Sequence, residues 1–285
     1  MGISSTLPSR NHQTASWTKD FIGKALARMF PARRREIYRC PSSNPISAID
    51  RGILFHLKKR AVREGRSRFL QRLHADFWAG KNGSVFSTNC DHRFRTHFIA
   101  KQQADFKAIS QAWQMNASVR NIIEIGTCSG LLLQYLNENL RGIESITGID
   151  INETQIRENQ QRLANTRLQF HHANGIEWVM ANAKPGTMFV TNGGVLEYFT
   201  QRDVEALFEF AGTKAAPSIV YCSEPISKDF DLEHDRESTP FGEELSFSHN
   251  YPKLLTEAGF TILNKRETYC ENYRMLATLA IRKIN

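Results

Sequence analysis

The segment NIIEIGTCSG, residues 121–130, is the most informative about the fold of this chain. NIIEI is typical of a short buried strand, GTCSG of a turn with two glycines, and the following LLLQYL, residues 131–136, of a helix. Gly126 and Gly130 let the backbone approach a ligand closely, and the start of the helix offers free N–H groups. Glu124 can pair with a cationic or hydroxyl-bearing group. We therefore predict a ligand-binding strand, turn and helix here.

The sequence around this stretch alternates short apolar runs with amphipathic ones, which indicates a doubly wound α/β sheet. We predict seven strands near residues 121–125, 145–149, 167–171, 187–191, 217–222, 260–267 and 273–281. We predict helices between them near 129–140, 153–164, 202–211 and 249–258. In such a fold, ligands bind beyond the carboxyl ends of the strands.

An acidic residue follows the second predicted strand. Asp150 follows the run SITGI and lies 20 residues after Gly130. A carboxylate in this place of a doubly wound sheet can accept both hydroxyls of a ribose. The turn and the acid together predict a site for a nucleoside-containing ligand.

These motifs resemble those of the class I S-adenosylmethionine (AdoMet)-dependent methyltransferases. Glu124-x-Gly126-x-x-x-Gly130 is similar to the first motif of that family, and GIDIN, residues 148–152, to the second. FHHANG, residues 170–175, occupies the place of the adenine-edge motif, with Asn174 where Asp is commoner. Cys128 stands where a third glycine is frequent. The resemblance covers roughly residues 95–285.

The resemblance implies a Rossmann-like, mainly parallel sheet with an antiparallel terminal strand, and AdoMet as the cofactor. The late segments SHNY, 248–251, and LLTEAGF, 254–260, are similar to the helix and turn that precede this terminal hairpin. The cofactor contacts that the resemblance implies are Glu124, Gly126, Thr127, Cys128, Gly130, Asp150, Ile151, Asn174, Gly175 and Asn192.

Three other functions fit parts of the same sequence. Gly126-x-Cys128-x-Gly130 is formally a cysteine version of the hydrolase nucleophile elbow, with later acids Asp203 and Asp229 and later His249. Against a hydrolase, the upstream sequence is mainly helical, whereas that fold places several strands before its elbow. A dinucleotide oxidoreductase requires G-x-G-x-x-G, which the turn lacks. A degenerate AdoMet-binding module without activity is the third alternative.

Methyl transfer to a hydroxyl requires in-line positioning and removal of one proton. His249, at the start of a late helix, is our preferred base, and Glu224 and Glu197, after the fifth and fourth strands, are alternates. Asn192 is followed by two glycines rather than by the two prolines of amino-methylating enzymes. We therefore expect a hydroxyl-bearing small molecule, similar to the acceptors of sugar-type O-methyltransferases. RNA or protein is the alternative acceptor.

Cysteine and histidine give no pattern typical of a metal site. The five cysteines are scattered without a CxxC pair, which fits a reducing cytoplasm. His171 and His172 are adjacent, so on a strand they point to opposite faces. We predict no metal.

The first quarter of the 285-residue chain differs from the rest in charge. Residues 1–80 hold 16 Lys and Arg against 5 Asp and Glu, and the whole chain carries +8. We predict a basic, flexible segment over 1–40, a helical cap at the substrate entrance over 41–114 and the AdoMet-binding domain over 115–285.

The N-terminal residues also leave open peripheral membrane contact, nucleic-acid binding, a transit peptide and N-myristoylation. No apolar stretch approaches the roughly 20 residues of a membrane-spanning helix. The sequence makes no prediction about oligomeric state.

Overall fold

The computed structural model describes residues 10–39, 47–80, 83–84, 92, 94–99, 101–164 and 166–283. The chain divides into two compact units. The helical unit comprises residues 1–82 with Glu243–Leu245, and the sheet unit comprises Gly83–Gly242 and Ser246–Asn285. This division differs from the boundaries after 40 and 114 that we expected from the sequence.

Four helices build the described part of the helical unit: α1 (Arg10–Met29), α2 (Pro31–Arg39), α3 (Ala48–Arg63) and α4 (Ser67–Ala79). The apolar spacing predicts a helical stretch from Asn44 to Phe77, and in its described part, from Ser47 onward, the chain forms two helices. Gly65, with φ +63°, lies in the turn between them. Ser47 and Asp50 form a capping box at the start of α3. The core of the unit consists of Ala27, Ile37, Ile53, Leu54, Leu57 and Leu73.

Nine strands lie in the described part of the sheet unit. They are β1 (Asn121–Ile125), β2 (Ser145–Asp150), β3 (Leu168–His172), β4 (Thr187–Asn192), β5 (Ser218–Ile226), β6 (Thr239–Phe241), β7 (Ser246–Ser248), β8 (Thr261–Tyr269) and β9 (Arg274–Arg282). Seven form one sheet in the order β3-β2-β1-β4-β5-β9-β8. The first five are parallel, while β9 is antiparallel to both of its neighbours. The predicted fold class is therefore confirmed.

The helices of the sheet unit are α5 (Gln103–Gln114), α6 (Leu131–Asn139), α7 (Glu153–Arg162), α8 (Gly175–Asn182), α9 (Gln201–Thr213) and α10 (Tyr251–Glu257). A π-helix spans Phe94–Ile99 and a 3₁₀ turn spans Leu196–Tyr198. Helix α5 contacts β5 and β9, which explains why it belongs to this unit rather than to the expected cap. The sequence did not predict α8 or the β6–β7 hairpin, because both are short and lack a sustained periodicity.

The sheet is buried on both faces. Ile122 packs in one apolar cluster with α5 and α6 residues such as Ile109 and Leu133. Ile123 and Ile125 pack in the other, with α9 residues such as Leu207. Neighbouring residues of a strand point to opposite faces, so one apolar strand serves both layers. No helix within the described residues is long and apolar enough to span a membrane.

Candidate functional site

The glycine turn after β1 is held in a backbone conformation that glycine favours. Gly126 and Gly130 both have φ +72°, and Cys128 has φ 44°. A Cβ on Gly126 would lie 2.5 Å from Cγ2 of Val195, in the loop after β4. A Cβ on Gly130 would lie 2.9 Å from the ring of Phe170. The turn is thus closely packed and requires glycine at both ends.

Asp150 links this turn to the end of β2. Its Oδ2 accepts a hydrogen bond from the Cys128 N–H at 3.0 Å, and its Oδ1 accepts one from the Asn152 N–H at 2.9 Å. Burial raises the pKa of Asp150 from its usual value, although these backbone donors act in the opposite direction. Each carboxylate oxygen retains a further lone pair. Asp150 can therefore accept hydrogen bonds from a ligand while it holds the turn.

Glu124 lies deeper in β1 and is 3% exposed. Its Oε2 accepts a hydrogen bond from the Thr127 hydroxyl at 2.7 Å. Burial raises the pKa of Glu124 to about 8. The carboxyl is mostly protonated at neutral pH, and a nearby cation would favour its ionised form.

The end of β3 has a polar cap. The side-chain oxygen of Asn174 accepts hydrogen bonds from the N–H groups of Ile176 and Glu177, at 3.1 and 3.3 Å, and so caps α8. A Cβ on Gly175 would lie 2.1 Å from Cγ2 of Ile125. Nε2 of His172 lies 3.1 Å from the carbonyl oxygen of Ile151. The described residues contain no group of three potential metal ligands.

At the ends of β4 and β5, the loop 193–199 rests on buried polar side chains. Oε2 of Glu224 accepts hydrogen bonds from the N–H groups of Val195 and Leu196, at 2.7 and 2.9 Å. Its Oε1 is buried and has no hydrogen-bond partner among the described residues. Burial raises the pKa of Glu224 to about 7. A carboxyl that titrates near neutrality can exchange a proton at physiological pH.

His249 lies against the same loop. Its Nε2 is 3.1 Å from the carbonyl oxygen of Leu196, and its Nδ1 is 2.5 Å from the Ser238 hydroxyl. The side chain is fully buried, and burial lowers its pKa to about 4. Both ring nitrogens are engaged, so these surroundings favour a structural role over the predicted role as base. Whether His249 is catalytic stays a prediction.

The three predicted catalytic residues come together at this loop: Glu197 belongs to it, and Glu224 and His249 contact its backbone. Glu197 is part of the loop and is 7% exposed. Glu197 and Glu224 both contribute to the raised pKa of the buried Tyr251 hydroxyl, although burial contributes most. The side-chain amide of Gln102 donates to Asn192 Oδ1 at 3.2 Å and to Ser223 Oγ at 3.0 Å. Sequence analysis gave neither Tyr251 nor Gln102 a role in the site: Tyr251 entered only as part of the segment SHNY, and no motif contains Gln102.

The structure does not assemble the hydrolase alternative. Nδ1 of His249 contacts Ser238 rather than an acid. Asp203 is committed to the capping box of α9 with Thr200. A nucleophilic triad needs an acid that orients the histidine, and neither ring nitrogen of His249 contacts an acid among the described residues.

One family model and several solved structures are similar to parts of this chain. Residues 122–213 match a family model described as a methyltransferase domain. No curated protein matches the chain by sequence. The magnesium protoporphyrin IX methyltransferase ChlM from Synechocystis PCC 6803, solved with bound SAM, is 13% identical over 75% of this chain and 97% of its own, with a TM-score of 0.49. The N-methyltransferase NodS from Bradyrhizobium japonicum WM9 is 14% identical over 64% of this chain and 99% of its own, with a TM-score of 0.43.

Proposed function

We propose that this chain, in which residues 122–213 form a class I methyltransferase domain, is an AdoMet-dependent methyltransferase that acts on a hydroxyl oxygen of a small molecule. One observation carries the cofactor assignment: Asp150 holds the glycine turn through the Cys128 N–H and still has lone pairs for a ribose. AdoMet supplies an activated methyl group on a sulfonium centre.

The residues around the turn suit such a cofactor. Gly126 and Gly130 leave no side chain between the backbone and a bound ligand. Glu124 is the one buried acid of β1, and it can compensate the positive charge of the cofactor by losing its proton. Cofactor binding is then coupled to proton release. Thr127, Ile151, Asn174, Gly175 and Asn192 complete the proposed cofactor contacts.

Glu224 is the side chain best suited to accept the proton of the acceptor hydroxyl. Its pKa is about 7, and its Oε1 has no partner among the described residues. Bound AdoMet would supply its methyl group to the acceptor oxygen and would become S-adenosylhomocysteine. The hydroxyl proton passes to Oε1 of Glu224. The N–H groups of Val195 and Leu196 hold the other oxygen in place.

Calorimetric titration of the purified chain tests the cofactor proposal. AdoMet and S-adenosylhomocysteine should bind saturably, and NADH should not. Asp150→Ala should weaken AdoMet binding by about 100-fold or more, since it removes the ribose acceptor and the hydrogen-bond acceptor of the Cys128 and Asn152 N–H groups. Asp229→Ala, which removes an exposed carboxylate, is the matched control. Unchanged affinity in Asp150→Ala would refute the ribose assignment.

The basic helical unit keeps RNA as the second candidate acceptor, because attraction to phosphate needs only clustered Lys and Arg. Transfer of radioactive methyl groups distinguishes the two. Radioactive label in a small hydroxylated compound supports the main proposal. Label in RNA that remains after the protein has been digested supports the alternative.

A further inference from the structure

The helical unit contains a cavity of about 400 Å³ between α2, α3 and α4. Leu57, Ala61 and Phe69 form an apolar part of its lining. The remaining lining is Tyr38 and five arginines, namely Arg34, Arg35, Arg39, Arg60 and Arg66. Among the residues that the structure describes, no acidic side chain lines this cavity. One part of the cavity lining is therefore apolar, and the other part is strongly cationic.

The arginine charges are only partly balanced. Glu64 accepts a hydrogen bond from Nε of Arg60 at 2.7 Å and lies 3.5 Å from Arg66. No carboxylate pairs with Arg34, Arg35 or Arg39 within the described ranges of the chain. The positive charges of Arg34, Arg35 and Arg39 repel one another, and an anion bound among them would relieve this repulsion.

The cavity wall is held in place by its aromatic residues. Arg66 donates a hydrogen bond to the Tyr38 hydroxyl at 2.8 Å, and its guanidinium lies 4.7 Å from the Phe69 ring centroid. Arg72, behind the wall, stacks on the same two rings and donates to the Tyr38 carbonyl. The hydrogen bond from Arg66 lowers the pKa of Tyr38, as a positive environment does. The arginines thus belong to a built surface.

We propose that this cavity binds the phosphoryl group of a small organic phosphate or of an anionic lipid headgroup. The planar donor fork of arginine matches phosphate oxygens in pairs, and several forks can share one di-anion. A volume of about 400 Å³ lies at the lower end of small-ligand pockets. A nucleic-acid strand needs a track of cations along a groove, whereas these arginines converge on one cavity. The site is distinct from the proposed methyl-transfer site.

Titration of the full chain with inorganic pyrophosphate, followed by calorimetry, tests the site. Pyrophosphate should bind and should raise the melting temperature. Arg34→Ala/Arg39→Ala should weaken that binding at least tenfold. Arg157→Ala/Arg202→Ala removes two exposed arginines of the sheet unit and should leave binding unchanged. Both targeted arginines are exposed, so the variant should melt no lower than the parent without ligand.

Sedimentation with vesicles distinguishes the source of the phosphoryl group. Binding to phosphatidylcholine vesicles only when they contain phosphatidic acid, with loss in Arg34→Ala/Arg39→Ala, assigns a lipid headgroup. Pyrophosphate binding without vesicle binding assigns a soluble ligand. Absence of both, equal weakening in the two double variants, or tighter binding of single-stranded RNA with the same dependence on Arg34 and Arg39 overturns the proposal. AdoMet affinity, measured in parallel, should be the same in all three proteins, so failure here is separable from failure of the methyltransferase proposal.

Discussion

The acidic residues at the two halves of the sheet edge differ in their burial and in their hydrogen-bond partners. In the turn half, at the ends of β1 and β2, Asp150 accepts two backbone N–H groups and is half-buried. In the loop half, at the ends of β4 and β5, Glu224 and His249 are fully buried beneath the loop 193–199. The first half is organised by glycine backbone, and the second by interlocked side chains.

This difference separates binding from chemistry. A turn that is shaped by backbone presents its N–H groups and one carboxylate to any ligand of matching shape. A buried carboxyl with a pKa of about 7 instead suits proton exchange. Perturbations of the loop half should therefore change turnover, and those of the turn half should change affinity or stability.

The largest expected effect is that of Glu224→Gln on turnover. Glutamine can still accept the N–H groups of Val195 and Leu196, but it cannot take up a proton at neutral pH. We expect kcat to fall by about 10² to 10⁴, with less than a threefold change in AdoMet affinity. The parent's kcat should rise with pH through about 7, and the variant's profile should be flat. Glu209→Gln, at an exposed position on α9, is the control; equal profiles would remove Glu224 from the proton transfer.

Gly126→Ala should act through packing and stability. Alanine at φ +72° is strained, and its Cβ would lie 2.5 Å from Val195. We expect a loss of about 3 kcal/mol in the free energy of unfolding, measured by urea denaturation. Gly142→Ala is a matched control because Gly142 has φ +74° but open space around its Cβ position. It should lose about 1 kcal/mol. Equal losses would show that contact with the loop half is unimportant.

Glu124→Gln should change the dependence of stability on pH. The folded pKa of about 8 exceeds the usual 4.5, so between these values the native state binds more protons than the unfolded state. This residue's contribution to stability therefore falls as pH rises from about 4.5 to 8, and glutamine lacks that fall. By calorimetry without cofactor, the variant should melt close to the parent at pH 4.5 and roughly 5 °C above it at pH 8. Parallel melting curves across this range would show that Glu124 is ionised throughout.

The smallest expected effect concerns Asn174, where the methyltransferases that the motifs resemble more often have Asp. Asn174→Asp keeps an N-cap acceptor for Ile176 and Glu177, so we expect stability within a few tenths of a kcal/mol of the parent. Asn174→Ala should lose about 1 kcal/mol. Chemical denaturation measures both. A loss in the aspartate variant as large as that in the alanine variant would contradict the capping role.

The turn half was largely predictable from the sequence, since its elements are contiguous: NIIEIGTCSG and SITGID contain their own strands, glycines and acids. For the loop half, the sequence predicted only which residues could be functional, not how they are arranged. Glu197, Glu224 and His249 were candidates, but their burial and partners depend on segments as distant as Ser238 and Leu196. Helix α8 and the β6–β7 hairpin were missed because tertiary packing, rather than local periodicity, stabilises elements so short.

By itself, the sequence determined the parallel α/β architecture, the glycine turn and the acid at the end of β2, because alternation and spacing are properties of neighbouring residues. Which polar groups are buried away from water depends on the tertiary structure and cannot be seen in the sequence. Burial moves the pKa values of Glu124 and Glu224 toward 7 and the pKa of His249 away from 7. The tertiary structure also brings Arg34 and Arg39 of α2 and Arg66, which precedes α4, to the lining of one cavity. These properties come from desolvation and from convergence of distant segments, which no local pattern encodes.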